Sequence, residues 1–148
     1  MTDLPAAQAV RFELRLDDDE LAEEIEQWLA TSDAAGMSRR EEFGILPLLP
    51  IVIGALMGLS GLASLVMWIR SKTRCQVVID ARGETLQKEI DCRIRDGRIV
   101  VVTKDNVKVQ LLEVPDVFDM QKVLTAALSA GAGAVKSVAE AAGATVKV

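Results

Sequence analysis

Residues 43–69 read FGILPLLPIVIGALMGLSGLASLVMWI, and no charged side chain interrupts them. An apolar run this continuous is long enough to cross a bilayer as a helix. Pro47 and Pro50 stand near its start, and proline is tolerated in the first turn of a helix but not in its interior. The regular helix is therefore expected to begin near Pro50, after an extended or kinked approach, and to continue to Ile69. That length is roughly 28 Å at ~1.5 Å per residue, close to one hydrocarbon thickness. Within it Gly54 and Gly58 form a GxxxG pair, which Ser60, Gly61 and Ser64 extend into a small-residue strip suited to close helix–helix approach. Gly54, Gly58, Gly61 and Ser64 are the expected self-association face. Trp68 at the far end, with Arg70, Lys72 and Arg74 behind it, has the composition of an interfacial anchor on the cytoplasmic side.

Upstream, residues 1–9 read as a flexible leader. From Val10 to Leu16 the apolar residues take every second position, as in a strand with one buried face. Asp17-Asp18-Asp19-Glu20 follows. A carboxylate cluster could serve a divalent cation, but EF-hand spacing and its glycine are missing, and acidic residues suit a helix N-terminus, with Asp17 and Glu20 spaced as a capping box. Leu21, Ile25, Trp28 and Leu29 recur at helical spacing to about Ala30, which makes Trp28 a core anchor. Residues 31–36 close that unit, and Arg39-Arg40 beside Glu41-Glu42 form a charged collar before the apolar run.

Downstream, residues 75–80 read as a strand, 81–84 as a turn and 86–94 as the returning strand. Asp96-Gly97 suits a two-residue type I′ hairpin into residues 98–102, because Asp-Gly tolerates positive φ. Lys104-Asp105-Asn106 makes a further turn into residues 107–112. The expected product is an antiparallel β-meander of about four strands. Cys75 and Cys92 fall on apolar-facing positions of neighbouring strands; a disulfide or redox pair is conceivable, and two buried thiols are the simpler reading. Arg82, Arg93, Arg95 and Arg98 could receive an acidic partner or lipid headgroups, although solvated cross-strand pairs are the usual state of such a face. Pro115-Asp116 introduces a helix capped by Asp116 whose stripe Val117, Met120, Val123, Leu124, Ala127 and Leu128 should lie on the sheet. The Ala/Gly-rich residues 131–148 read as a frayed helix, a flexible extension or an assembly arm.

The fold expected is thus α+β, an antiparallel meander with flanking helices and one long hydrophobic, transmembrane helix. Its parts are a leader (1–9), an N-terminal strand and amphipathic helix (10–36), the hydrophobic helix (43–70), the meander with its C-terminal helix (74–130) and the tail (131–148). One conflict is built into it. A lone strand cannot satisfy its backbone, yet a single crossing would put residues 10–16 on the opposite side of the membrane from every other strand. Three resolutions are open: a true span with the first strand paired to another chain, a helix buried in an α+β unit or between copies, or a re-entrant hairpin broken near residues 58–61.

The net charge is −5 and histidine and tyrosine are both absent. Without a basic face or stacking platforms, nucleic acid is not an expected partner. The commonest general base and metal ligand are missing as well, so no catalytic, metal or cofactor site is expected. The cysteines form no CxxC pair and the first residues lack the apolar core of a signal peptide, which favours a cytosolic, reducing origin.

The order of a FELRL strand (12–16), an EEIEQWL helix end (23–29), an apolar helix closing in Trp68-Ile69-Arg70-Ser71, then CQVVID (75–80) and MQKVLTAAL (120–128), resembles the effector-associated constant component family over about residues 10–128. Those small proteins are encoded beside proteases and other effectors in bacterial conflict systems. The resemblance implies a non-enzymatic partner of a defence effector. Combined with the apolar stretch, it leads to the expectation of a small membrane-associated, self-assembling effector or adaptor that forms pores or disrupts a membrane. It would reside at the bacterial inner membrane or in the cytoplasm, with membrane lipid, further copies of itself and an effector or protease as partners. The competing expectation is a soluble oligomeric scaffold subunit with the hydrophobic helix buried between copies.

Overall fold

Phe12, Leu14 and Leu16 turn one side of the first strand, β1 (Val10–Leu16), into the core, and the charged residues between them take the other side, as the alternation requires. The computed structural model describes residues 10–32, 34–41, 51–112, 116–143 and 146–147. Helix α1 (Asp19–Ala30) follows, capped by the Asp18 carboxylate, which accepts the Leu21 N–H at 3.1 Å. The acidic cluster is therefore a helix cap, with Asp18 rather than Asp17 as the cap residue. After α1 come β2 (Ala35–Glu41), β3 (Ile51–Met57), α2 (Leu59–Thr73), β4 (Gln76–Asp80), β5 (Leu86–Asp91), β6 (Ile99–Val102), β7 (Lys108–Leu111), α3 (Val117–Ser129), α4 (Ala132–Ala141) and β8 (Val146–Lys147). The strands form one eight-stranded sheet in the order β2-β3-β1-β5-β4-β6-β7-β8.

The apolar stretch is not one helix, and this overturns the transmembrane reading. Residues 43–50, including the expected prolyl start, lie outside the described residues. The remainder divides at Gly58 into a strand and a helix. β3 lies between β2 and β1 and is buried on both faces at Ile51, Val52, Ile53 and Ala55, so its sequence needs no polar alternation. A short run buried on both faces cannot be told from a buried helix by periodicity. Gly58 then takes an extended conformation as the cap of α2. The helix has 15 residues, about 22 Å, well short of a hydrocarbon core. Among the described residues no helix is long and apolar enough to cross a membrane, so the membrane, transmembrane and pore-forming expectations fall together. α2 is apolar because its own chain surrounds it: Leu59, Leu62, Ala63, Leu65, Val66 and Ile69 are all buried in the common core.

The same division removes the conflict over β1. Its antiparallel partner is β3, the first half of the apolar stretch, and β5 pairs with its other edge in parallel.

The expected meander is also corrected. The four strands lie close to where alternation places them, and β4–β5 and β6–β7 are antiparallel hairpins, but β4 and β6 are parallel neighbours. Both edges of β5 are taken, one by β1 and one by β4, so β6 cannot fold back on it. Gly97 does have the positive φ (70°) anticipated for Asp-Gly, but it lies in a crossover of residues 92–98 that passes the end of β4. Its N–H donates to the Arg74 carbonyl at 2.9 Å.

One core holds the inward residues of six strands and the buried residues of all four helices, with Val146 of β8 packed against it, so the helices share one side of the sheet. Val52, Val100 and Val102 point to the other side and lie outside that core. α3 is capped by Asp116, as expected, and packs between α2 and α4. Within the Ala/Gly-rich tail, α4 buries Val135 and Ala139, and β8 extends the sheet beside β7.

Candidate functional site

Cys75, just before β4, and Cys92, just after β5, continue the antiparallel register of Gln76 opposite Asp91 by one position. Their Cα atoms are 4.4 Å apart and their sulfurs are bonded. Directly opposed residues of an antiparallel pair reach this separation, so the register itself brings the sulfurs together. The reading as two buried thiols gives way to a disulfide. Cys75 is fully buried and Cys92 partly buried.

The disulfide lines a cleft of about 190 Å³. Asp18, Glu20 and Glu24 contribute one wall from the start of α1, and Lys72, Thr73 and Arg95 contribute the other. Each is held by local structure. Asp18 is the α1 cap, so its carboxylate is fixed by the backbone. The Thr73 hydroxyl donates to the Ile69 carbonyl at 2.8 Å and accepts the Cys75 N–H at 3.1 Å. Lys72 Nζ is 2.9 Å from Glu24 Oε2, an atom shielded from solvent and approached outside hydrogen-bonding directions. Arg95 Nε donates to the Cys92 carbonyl at 3.2 Å.

Arg95 differs from the other arginines of its region. Arg82, Arg93 and Arg98 each pair with the aspartate two residues earlier: Asp80 at 2.8 Å, Asp91 at 3.0 Å and Asp96 at 3.3 Å. Each of these aspartates also accepts the backbone N–H of its arginine. Hydrogen bonding from Arg82 and Arg93 holds the Asp80 and Asp91 carboxyls below the ordinary carboxylate range. The arginine face is thus built on local Asp-x-Arg pairs, to which Arg82 adds a hydrogen bond to Asn106 Oδ1 and Arg98 one to Gln110 Oε1 of β7, each 3.0 Å. Arg95 has no carboxylate partner among the described residues.

The expected self-association residues do not form one strip. Gly54 lies in β3 opposite Glu13 and Ser38, Gly58 caps α2, and Gly61 faces Met57 of its own chain, where a Cβ would come within 2.8 Å of the Met57 Cγ. Ser64 is partly buried on α2. The expected interface anchors are structural ties. Trp68 stacks on Trp28 with centroids 6.1 Å apart, and Lys72 lies 5.7 Å over the Trp68 ring. Arg70 Nε donates to the Gly97 carbonyl at 2.6 Å, joining α2 to the crossover, and Arg74 ends α2 in a left-handed conformation. Trp28 anchors a helix–helix contact, although it is only partly buried.

A second unusual group escaped the sequence reading. Lys88 in β5 is fully buried, its ammonium 5.2 Å over the Phe12 ring and 3.4 Å from the Leu62 carbonyl. Burial depresses its pKa to about 7. The signal was present: Leu86, Lys88 and Ile90 alternate, so an apolar face at 86 and 90 necessarily includes 88. Arg95 carries no comparable signal, because its position depends on the crossover.

Among the described residues no cluster of three His, Cys, Asp or Glu could hold a metal ion. No family model, curated protein or solved structure matches the chain.

Proposed function

We propose that this chain is a non-enzymatic assembly subunit whose copies join through the outer edge of β2. The observation that carries the reading is the contrast between the two ends of the sheet. β2 is a terminal strand of seven residues that pairs, among the described residues, with β3 alone, and the residues from Ala35 to Arg40 are all exposed as whole residues. β8, at the other end, has two residues among those described. An exposed strand of the first kind offers a row of backbone donors and acceptors to another strand, and a very short one does not. Charges commonly guard such edges, but here they are engaged inward. Arg39 reaches Glu26 at 2.6 Å and Asp19 at 3.2 Å, and Arg40 reaches Glu13 at 3.3 Å. Met37, 43% exposed, stands where the register to β3 shifts.

Because α2 is covered by its own chain, the contact between copies belongs to the sheet edge rather than to the apolar helix. The resemblance to the effector-associated constant component family supports the same class of role, with an effector or protease of a bacterial conflict system as the second partner. Light scattering after gel filtration tests the first step. The expected outcome is a dimer that Met37→Pro converts to a monomer with unchanged circular dichroism and Tm. A wild-type chain that stays monomeric at every concentration examined overturns the proposal.

A further inference from the structure

We propose that the Cys75–Cys92 pair is a reversible thiol–disulfide exchange site for a small thiol that carries both a carboxylate and an ammonium group, such as a short cysteinyl peptide. The inference does not depend on pairing through β2. It rests on the position of the bond in the cleft, the unequal burial of the two cysteine residues and the charges around them. A structural disulfide is ordinarily shielded, whereas this one lines an open cleft of about 190 Å³. That volume admits a small molecule but not a strand or helix of another protein.

The two cysteines are not equivalent. The residue Cys75 is fully buried whereas Cys92 is only partly buried, which makes Cys92 the side from which the proposed attack comes. Attack there forms a bond between the incoming sulfur and Cys92 Sγ, breaks the Cys75–Cys92 bond, and releases Cys75 as a thiolate. A second small thiol, as its thiolate, then attacks the incoming sulfur of the mixed disulfide. Cys92 leaves as a thiolate, and the two small thiols depart joined as a disulfide. Two electrons pass from the small thiols to the protein, and both protein thiolates take protons from water.

Arg95 is suited to favour the charged intermediates. Its guanidinium is tied to the Cys92 carbonyl and has no carboxylate partner among the described residues. A cation beside a cysteine favours the thiolate. The same guanidinium can take the carboxylate of the small thiol, while Asp18 and Glu20 on the facing wall can take its ammonium. Lys72 and Glu24 are already paired with each other and complete the charged surroundings. Arg95 acts through the cysteines and the bound thiol, so it is a positioning residue.

The test uses the oxidised, folded full chain and reduced glutathione as the probe, with acid quenching, intact-mass measurement and peptide mapping. The expected result is a mixed disulfide on Cys92 with Cys75 as a free thiol, followed by full reduction. An adduct on Cys75, or no reaction without denaturant, overturns the proposal. Mercaptoethanol, which carries neither charge, should react at least roughly threefold more slowly once each reagent is normalised to its rate with a small disulfide. Equal normalised rates overturn the assigned ligand class. In Arg95→Gln the glutathione reaction should slow by a similar factor, and in Cys75→Ser with Arg95→Gln the alkylation of Cys92 should shift to higher pH than in Cys75→Ser alone. An unmoved pH profile overturns the role of Arg95. The wild-type reaction needs no variant, so a poorly folding Cys75→Ser chain leaves the main test intact.

Discussion

Lys88 places an ammonium where every neighbour in its strand's inward face is apolar, and the fold must bear the cost. A buried ammonium without a carboxylate partner is disfavoured because the interior cannot replace its hydration. The Phe12 ring and the Leu62 carbonyl offset part of this loss. Burial lowers the pKa from 10.5 to about 7 in the folded chain. Between those values the unfolded chain binds more protons than the folded one, so stability rises with pH across the window. Below about 7 both states are protonated, and the fold carries the full penalty. Urea titrations should therefore give a midpoint that climbs from pH 7 toward 10.5 in the wild type. Lys88→Met should flatten that dependence and stabilise the chain at neutral pH by roughly 1–4 kcal/mol, the range found when buried charges give way to well-packed apolar groups. Parallel pH curves for the two proteins would show that Lys88 does not titrate in this window. Nothing in the sequence marks Lys88 except its place in the alternation, and an expectation that lysines face water hides it.

At the level of elements, the legible ones were those whose signal is local. The strand alternation of β1, the acidic start of α1 and the Asp116 cap of α3 all depend on residues within a turn of one another, and all stand where the sequence places them. β3 was not legible because burial on both faces removes its period, and α2 was read as membranous because burial against several neighbours resembles burial in lipid. α4 shows a third case, a helix whose cap comes from elsewhere. Its N-cap, Gly131, supplies no side chain, and the Asp105 carboxylate from the β6–β7 turn accepts the Ala132 N–H at 3.1 Å. The Thr103 hydroxyl, then the Ala132 N–H, holds the Asp105 carboxyl below its ordinary pKa. A depressed carboxyl stabilises the fold above its unfolded pKa, near 3.8, and that contribution is lost as pH falls through the lower folded value. A Cβ at Gly131 would lie 2.8 Å from the Asp105 Oδ2, so the carboxylate would have to shift from its place against the Ala132 N–H. Asp105→Asn and Gly131→Ala should each lower Tm at neutral pH by roughly 2–4 °C, the effect of losing one helix cap in a chain of this size. The double variant should lose little more than either single one, because both remove the same contact. Additive losses in differential scanning calorimetry would show that the carboxylate and the glycine act separately.

For the whole molecule, the decisive feature is that β1 joins two halves of the chain that the sequence keeps apart. One edge of β1 takes β3 and the other takes β5, whose far edge takes β4, so the middle of the sheet is assembled from segments distant in sequence. Alternation and turn signals can identify strands such as β1, β4 and β5 but cannot say which edges meet, and this is why the β6 neighbour was misassigned while β6 itself was found. The misassignment follows from a default preference for pairing consecutive strands, and that preference fails once β1 occupies an edge of β5. The arrangement also sets how the protein opens. β2 and β8 can detach by breaking one ladder each, with β8 contributing only a two-residue pairing to β7. β1, β5 and β4 cannot separate without dismantling the single core they share with all four helices. Native-state hydrogen exchange should accordingly find the amides of β1, β5 and β4 exchanging last and together, with free energies matching global unfolding, while those of β8 exchange by local opening. Mild denaturant should accelerate the first group and leave the second nearly unaffected, because only global opening exposes much new surface. If β4 and β5 instead exchange well before β1, with a weaker denaturant dependence, the two halves unfold separately and β1 does not bind them into one cooperative unit.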